Sequence, residues 1–274
     1  MRHGHDVEVA DAMACLRIGD GPPLVFLPGL TAHHRPPHGL DLRFQRGQCA
    51  LLAHGREVWW LNRRCGLSPG TSMADLARDY ARVMHQRFGQ PVDVVGVSTG
   101  GSVALQLAAD HPEVVRRLVV VSAAYRLGPF GHSCQRETAD ALRAGRLRAA
   151  SAAMMSIIGA HRTTRRVVRM LGWFLGPFAL GRPDTDLLTT LEAEDAFDLR
   201  DRLTEITAPT LVVGGARDAC YGRELLEHTA ELIPRGTTLI YPRKGHLGVQ
   251  SRRIAHDIRT FLDSDRTDDD PAQT

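Results

Sequence analysis

The stretch "VVGVSTGG", Val94–Gly101, places a serine between glycines directly after a run of valines. Gly96 to Gly100 match the pattern G-x-S-x-G, with a strand-like run before them and a helix-favouring segment after them. A sharp strand-to-helix turn strains the serine backbone and holds the Ser98 hydroxyl at a helix N-terminus, which favours developing negative charge. The alternative is a glycine-rich turn with an N-capping serine. The flanking strand and helix favour a nucleophile.

Apolar runs and helical patterns alternate along the rest of the chain. The runs that predict strands are "DVEVADA", "ACLRIGDG", "PLVFLPG", "REVWWLN", "VDVVGV", "RRLVVVSAA", "PTLVVGGA" and "TTLIYP". The first two alternate in polarity and predict an antiparallel start, whereas the continuous later runs predict parallel strands that are covered on both faces. With helices between them, these strands predict an α/β fold with a mostly parallel, doubly wound sheet.

One region, from about 127 to 207, interrupts this alternation. It contains no convincing strand and is rich in Arg, Ala and Leu. We therefore predict a helical insertion at 127–207 over the carboxyl ends of the strands, and a core formed by residues 1–126 and 208–264. The acidic end of the chain, residues 265–274, lacks an apolar pattern and is predicted to be disordered.

Composition excludes several classes of protein. The chain has 274 residues and a net charge of +3, which is too small to imply nucleic-acid binding. Its five cysteines are widely spaced and form no C-x-x-C pair, which argues against a disulfide framework or a zinc site. No apolar run approaches the ~18 residues that span a bilayer. These features predict a reduced, cytoplasmic protein without a membrane segment, metal or cofactor, and they leave the oligomeric state open.

A serine nucleophile needs a base, and a base needs an orienting acid. Among 13 histidines, His246 follows the last predicted strand, at the sheet edge where ligands of α/β proteins bind. Asp218 follows the preceding strand and lies slightly early to cap a helix that begins near Gly222. The alternatives are an ordinary loop histidine and a turn aspartate. The order Ser98, Asp218, His246 favours a triad.

Two backbone N–H groups are predicted to hold the oxyanion. One belongs to Thr99, the residue after the nucleophile. The other belongs to Leu30 in "FLPGL", because Pro28 has no N–H and Gly29 allows a close backbone approach. The alternative for Pro28 and Gly29 is a simple turn.

The segments "PLVFLPGL", "GVSTGG", "LVVGGARD" and "GHLG" together resemble the α/β-hydrolase superfamily, in its serine esterase-like branch with a helical cap. The resemblance covers nearly the whole chain. It implies that Ser98, Asp218 and His246 correspond to the catalytic triad and that Leu30 and Thr99 correspond to the oxyanion donors. The insertion at 127–207 is then similar to the family's cap domain.

The resulting hypothesis is hydrolysis of a carboxylic ester of a small or medium-sized substrate through an acyl-enzyme. An acyltransferase, a thioesterase or a carbon–carbon bond hydrolase would use the same triad, and a ligand-binding protein without turnover is an alternative of another class. Candidates for contact with the substrate are Thr31, His33, Trp173, Phe174, Phe178, Tyr221 and Leu247. For the aromatic residues of the insertion, packing of the cap against the core is the alternative.

Overall fold

The computed structural model describes residues 7–10, 12–180, 184–249 and 251–264, with the side chains of 12–176, 184–247 and 251–264. Eight strands of this described part form one sheet. They are β1 (Val7–Ala10), β2 (Met13–Ile18), β3 (Pro23–Leu27), β4 (Glu57–Arg64), β5 (Val92–Val97), β6 (Val115–Val121), β7 (Thr210–Gly215) and β8 (Gly236–Tyr241).

The order of the strands across the sheet is β1-β2-β4-β3-β5-β6-β7-β8. Strand β2 runs antiparallel to β1 and β4, and every other neighbouring pair is parallel. The predicted mostly parallel sheet and its antiparallel start are therefore confirmed. Because parallel strands end at the same edge, the loops after β3, β5, β7 and β8 meet there.

Helices cover both faces of the sheet. They are α1 (Gly39–Ala50), α2 (Met73–Phe88), α3 (Thr99–Asp110), α4 (Pro129–Arg143), α5 (Leu147–Ser156), α6 (Arg162–Leu180), α7 (Thr185–Asp195), α8 (Gly222–Leu232) and α9 (Arg252–Asp263). Helices α2, α3 and α8 pack on one face, and α1 and α9 pack on the other. Within β5, Val94 packs into the core under α2, α3 and α8, and Val95 packs into the core under α1 and α9. Burial on both faces explains the unbroken apolar sequence of this strand.

Helix α1 is a feature that the sequence patterns do not predict. Its sequence, GLDLRFQRGQCA, has no apolar stripe at helical spacing, and its buried residues are Gln45 and Cys49. Leu40 and Phe44 are 83% and 52% exposed. Leu42 and Cys49 pack into the core whereas Leu40 and Phe44 are exposed, so the apolar residues of α1 do not form one stripe that marks its buried face.

Helices α4 to α7 occupy the interval between β6 and β7, where a helical insertion is predicted. The described residues of this interval contain no strand, although an isolated bridge joins Arg126 and Asp198. The division into a core of 1–126 and 208–264 and a cap of 127–207 stays a prediction, and the tail at 265–274 lies outside the described residues. Among the helices that the structure describes, none combines the length and apolar character required to cross a membrane.

Candidate active site

Ser98 lies in a strained turn between β5 and α3. Its φ of 52° and ψ of −124° are unusual for a residue with a side chain. A Cβ added at Gly96 would lie 2.3 Å from the Gly100 oxygen, and one added at Gly100 would lie 2.3 Å from the Leu27 oxygen. Only glycine fits at either position, because any side chain would collide with the backbone of α3 or of β3.

The structure brings Ser98, His246 and Asp218 together. The Ser98 Oγ lies 3.0 Å from His246 Nε2, and His246 Nδ1 lies 2.9 Å from Asp218 Oδ2. His246 and Asp218 are buried. Because Nδ1 faces a carboxylate, it carries the imidazole proton, and Nε2 is left to accept the proton of the Ser98 hydroxyl. The same order of hydrogen bonds is found in Ser-His-Asp triads.

The loops after β7 and β8 hold Asp218 and His246 in place. The N–H groups of Cys220 and Tyr221 donate to Asp218 Oδ1, at 2.9 and 3.4 Å, and so leave Oδ2 directed at His246. The Tyr221 ring stacks on the His246 imidazole with centroids 6.0 Å apart. The Ser122 hydroxyl donates to the His246 carbonyl at 2.9 Å. His246 is therefore fixed through its backbone and through one face of its ring.

One predicted oxyanion donor, Thr99, directly follows this serine, and the other, Leu30, lies in the loop after β3. Thr99 begins α3, so its N–H has no acceptor in the preceding turn of helix. In the loop after β3, a Cβ added at Gly29 would lie 3.4 Å from Ser98 Cβ, so this loop touches the serine. Within the described part of the chain, neither the Thr99 nor the Leu30 N–H has a hydrogen-bond acceptor. Their role as oxyanion donors stays a prediction.

A buried carboxylate on α7 connects the helical insertion to the site. Glu194 is 1% exposed and accepts hydrogen bonds from Thr99 Oγ1 at 2.8 Å and Ser102 Oγ at 3.1 Å, both in the first turn of α3. It also accepts from Gln135 Nε2 at 2.6 Å and from the Tyr221 hydroxyl at 3.3 Å. Glu194 thus ties α4 and α7 to the helix behind Ser98 and to the ring that stacks on the imidazole. No sequence pattern marks this residue as part of the site.

A buried arginine at the end of β4 lies behind the Leu30 loop and is also absent from the sequence analysis. Arg63 donates from Nη1 to the Pro28 oxygen at 3.2 Å and from Nη2 to the Gly29 oxygen at 2.9 Å. It also donates to Thr31 Oγ1 at 3.1 Å and, through Nε, to His34 Nε2 at 3.1 Å. Burial lowers the pKa of Arg63. Every one of these acceptors belongs to the segment that follows β3.

His34 is neutral in the folded protein. Its Nδ1 lies 2.9 Å from the Arg64 oxygen and donates to it, so Nε2 is the acceptor for Arg63. Burial, reinforced by the adjacent Arg63 guanidinium, lowers the pKa of His34 to about 3. A histidine in an unfolded chain has a pKa of about 6.5. Between these values the unfolded chain binds a proton at His34 that the folded chain does not bind.

We therefore expect the His34→Gln variant to lose part of the acid sensitivity of the wild type. The contribution of neutral His34 to the free energy of unfolding is complete above pH ~6.5. As the pH falls from there towards 3, this contribution declines by about 1.4 kcal/mol per pH unit. Glutamine keeps one acceptor and one donor but does not titrate. Urea unfolding of both proteins at pH 7, 6, 5 and 4.5 measures the difference in slope. Parallel dependences of the free energy of unfolding on pH would contradict the expectation.

Three of the predicted substrate contacts lie in the segments that follow β3, β7 and β8. Tyr221 is buried and stacked on His246, Leu247 is 40% exposed beside it, and Thr31 hydrogen-bonds with Arg63 and Asn62. Tyr221 is thus part of the support of the imidazole. Contact of any of the three with substrate stays a prediction.

The other predicted contacts lie on the insertion or towards it. His33 is partly exposed, with Nδ1 3.7 Å from Asp184 Oδ2. Trp173 and Phe174 are 45% and 59% exposed on α6, so they do not bury the insertion against the core in this structure. The side chain of Phe178 lies outside the described residues. Contact of these four residues with substrate also stays a prediction.

Asp218, Cys220 and His246 offer ligand atoms within 4.8 Å of one another, which is close enough to hold a metal ion. Their chemistry does not fit that use. Asp218 and His246 are hydrogen-bonded to each other. Burial raises the pKa of the Cys220 thiol well above its usual range, whereas a metal binds the thiolate. The group is better described as a hydrogen-bonded aspartate–histidine pair with a thiol next to it.

The chain is similar to known proteins both in sequence and in structure. The chain is 26% identical over 238 residues to the pimeloyl-[acyl-carrier protein] methyl ester esterase of Nitrosomonas europaea, covering 83% of this chain and 90% of the relative. It is 30% identical over 204 residues to a Variovorax paradoxus protein named as a candidate carbamate hydrolase, RutD, covering 72% and 77%. A solved esterase from Thermogutta terrifontis superposes with a TM-score of 0.72 at 22% identity, covering 92% and 93%.

A family model described as "Alpha/beta hydrolase family" matches residues 24–255. This range runs from β3 to α9 and includes Ser98, Asp218 and His246. Since the match covers most of the sequence, the chain belongs to the alpha/beta hydrolase family.

Proposed function

We propose that the protein is a serine hydrolase that cleaves a carboxylic ester of a small or medium-sized molecule through an acyl-enzyme. The observation that carries the proposal is the continuous hydrogen-bond path from Ser98 Oγ through His246 to Asp218, with distances of 3.0 and 2.9 Å. Within it, the strained turn presents the nucleophile, the imidazole accepts its proton and the carboxylate fixes the tautomer.

Acylation begins when His246 Nε2 takes the hydroxyl proton and Ser98 Oγ attacks the ester carbonyl carbon. The carbonyl oxygen becomes an oxyanion, which the N–H groups of Leu30 and Thr99 stabilise. When the tetrahedral intermediate collapses, the bond to the alcohol oxygen breaks, and His246 gives its proton to the leaving alcohol. Ser98 then carries the acyl group as an ester.

Deacylation repeats the cycle with water as the nucleophile. His246 removes a proton from the water as it attacks the acyl carbon, and then returns this proton to Ser98 Oγ as the acid leaves. The same two backbone donors hold the second oxyanion. The buried Glu194 contacts support this sequence, because they anchor the first turn of α3, where Thr99 lies.

The relatives agree with ester cleavage and raise a second candidate. One is named for a methyl ester and another for a carbamate, at 26% and 30% identity. A carbamate carbonyl accepts the same attack by serine. A panel of methyl esters, p-nitrophenyl esters of graded acyl length and matched carbamates separates the two, because an esterase turns over the esters with a higher kcat/KM at each acyl length.

A fluorophosphonate probe is expected to label the folded protein at a single site, Ser98. Phosphorus is attacked by an activated serine and not by ordinary hydroxyl groups. Peptide mapping by mass spectrometry locates the modification, and Ser133→Ala, which removes an exposed serine on α4, serves as the matched control. Labelling should persist in Ser133→Ala, and it should vanish in Ser98→Ala and in heat-denatured protein. Modification of another serine, or none, would exclude Ser98 as the nucleophile.

A further inference from the structure

We propose that Arg63 is a positioning residue that sets the oxyanion hole, by holding the peptide whose N–H is contributed by Leu30. This inference rests on the proposed function, since it concerns how the same site stabilises an oxyanion. Arg63 lies near the end of β4 and touches neither Ser98 nor the other two triad residues through a hydrogen bond in the described part of the chain. Its effect on catalysis is therefore exerted through the loop.

The Arg63 side chain is a cation buried inside the protein. Arg63 is 0% exposed, and its hydrogen bonds go to neutral acceptors, two of them backbone carbonyls. Within the described residues it has no carboxylate at ion-pair distance, although Glu194 attracts it at longer range. A buried guanidinium without an ion pair is costly for folding. The N–H groups of the guanidinium instead bind and fix the loop after β3.

The peptide bond between Gly29 and Leu30 has a fixed geometry. The described residues contain no cis peptide bond, so the Gly29 carbonyl and the Leu30 N–H lie in one plane and point in opposite directions within it. Arg63 Nη2 holds the carbonyl at 2.9 Å on one side. The opposite side is therefore assigned to the N–H. Gly29 borders Ser98. The proposed role therefore requires the Leu30 N–H, held opposite to the Gly29 carbonyl, to face the space beside the nucleophile.

Loss of the arginine would release this orientation. The carbonyls of Pro28 and Gly29 would lose their donors, and unpaired buried carbonyls turn towards any other donor or water that they can reach. Rotation of the Gly29–Leu30 peptide would carry the N–H away from the oxyanion. While the hydrogen bond is present, it also polarises the peptide and makes Leu30 a stronger donor.

The test compares an oxoester with its thionoester, p-nitrophenyl acetate with O-p-nitrophenyl thionoacetate. Sulfur is a weak hydrogen-bond acceptor and sits further from carbon than oxygen does, so a well-formed oxyanion hole favours the oxoester. The kcat/KM for the oxoester is divided by that for the thionoester, and this ratio is divided by the same ratio for hydrolysis by hydroxide in solution. The result measures how well the oxyanion hole is formed. Because both substrates are measured on one preparation, a partly unfolded variant changes both rates equally and leaves the ratio unaltered.

For Arg63→Met we expect kcat for the oxoester to fall about 10- to 50-fold with KM within about 2-fold, since the loss falls on the transition state. The oxo/thiono ratio should fall about 10-fold. Arg63→Lys keeps the charge but cannot hold both carbonyls, so its ratio should be intermediate. Arg117→Met is the matched control, because it removes another buried arginine that binds a backbone carbonyl, that of Phe261. Its ratio should equal that of the wild type.

The outcomes separate the two proposals. A wild type that hydrolyses neither substrate overturns the proposed function and the role of Arg63 with it. An active wild type whose ratio is unchanged in Arg63→Met overturns the role of Arg63 alone and leaves a structural role. If Arg63→Met does not fold, Arg63→Lys decides in the same way, and a wild-type ratio in that variant overturns the proposal.

Discussion

Replacing Ser98 by alanine is expected to lower kcat/KM for ester substrates by about 10⁴-fold or more. The methyl group leaves His246 without a hydroxyl to deprotonate, so no acyl-enzyme forms. Alanine fits the space that the serine occupies, and the glycines that shape the turn are unchanged. The residual rate should come from water attacking a substrate that is still held by the backbone donors.

The measurement is hydrolysis of p-nitrophenyl butyrate by Ser98→Ala, with Ser133→Ala as the matched control. Thermal unfolding of both variants should resemble that of the wild type, so the lost activity cannot be assigned to lost structure. Ser133 lies on the exposed face of α4, and its replacement should leave kcat unchanged. Retention of more than about a tenth of the wild-type rate by Ser98→Ala would mean that another group is the nucleophile.

The sheet could be predicted because strands that are covered on both faces have unbroken apolar sequences. All six residues of β5 are buried, which is why "VDVVGV" predicts a strand covered on both faces. Helix α2 could also be predicted, since Ser72 and Asp75 form its capping box and Gly89 ends it in a left-handed conformation. Helix α1 carries no such signals, because its position is determined by contacts with distant strands.

The residues proposed for the triad could be found because the topology of the sheet brings them together. Each follows a strand, and parallel strands end together, so Ser98, Asp218 and His246 needed only correct strand assignments to be placed at one edge. Arg63 and Glu194 have no such marker. An arginine at a strand end and a glutamate in a helix are normally solvated, and here they are buried because the β3 loop and α7 fold over them.

Replacing Asp218 by asparagine is expected to lower kcat by about 10³- to 10⁴-fold while the fold is retained. The direction follows from the contacts of the carboxylate. Oδ1 accepts the N–H groups of Cys220 and Tyr221, so the amide oxygen of asparagine must take that place. The amide NH₂ then faces His246 Nδ1, which must become an acceptor. The imidazole proton moves to Nε2, opposite Ser98 Oγ, and the base can no longer take the serine proton.

Two measurements test this chain of consequences. Long-range ¹⁵N–¹H spectra of His246 should show the proton on Nδ1 in the wild type and on Nε2 in Asp218→Asn. The rate of fluorophosphonate labelling should fall in parallel with kcat, since both need the same proton transfer. Asp195→Asn is the matched control, because Asp195 Oδ1 contacts His132 Nδ1 at 2.7 Å in an aspartate–histidine pair outside the site. A kcat within about 10-fold of the wild type in Asp218→Asn, with the proton still on Nδ1, would show that Asp218 does not set the tautomer.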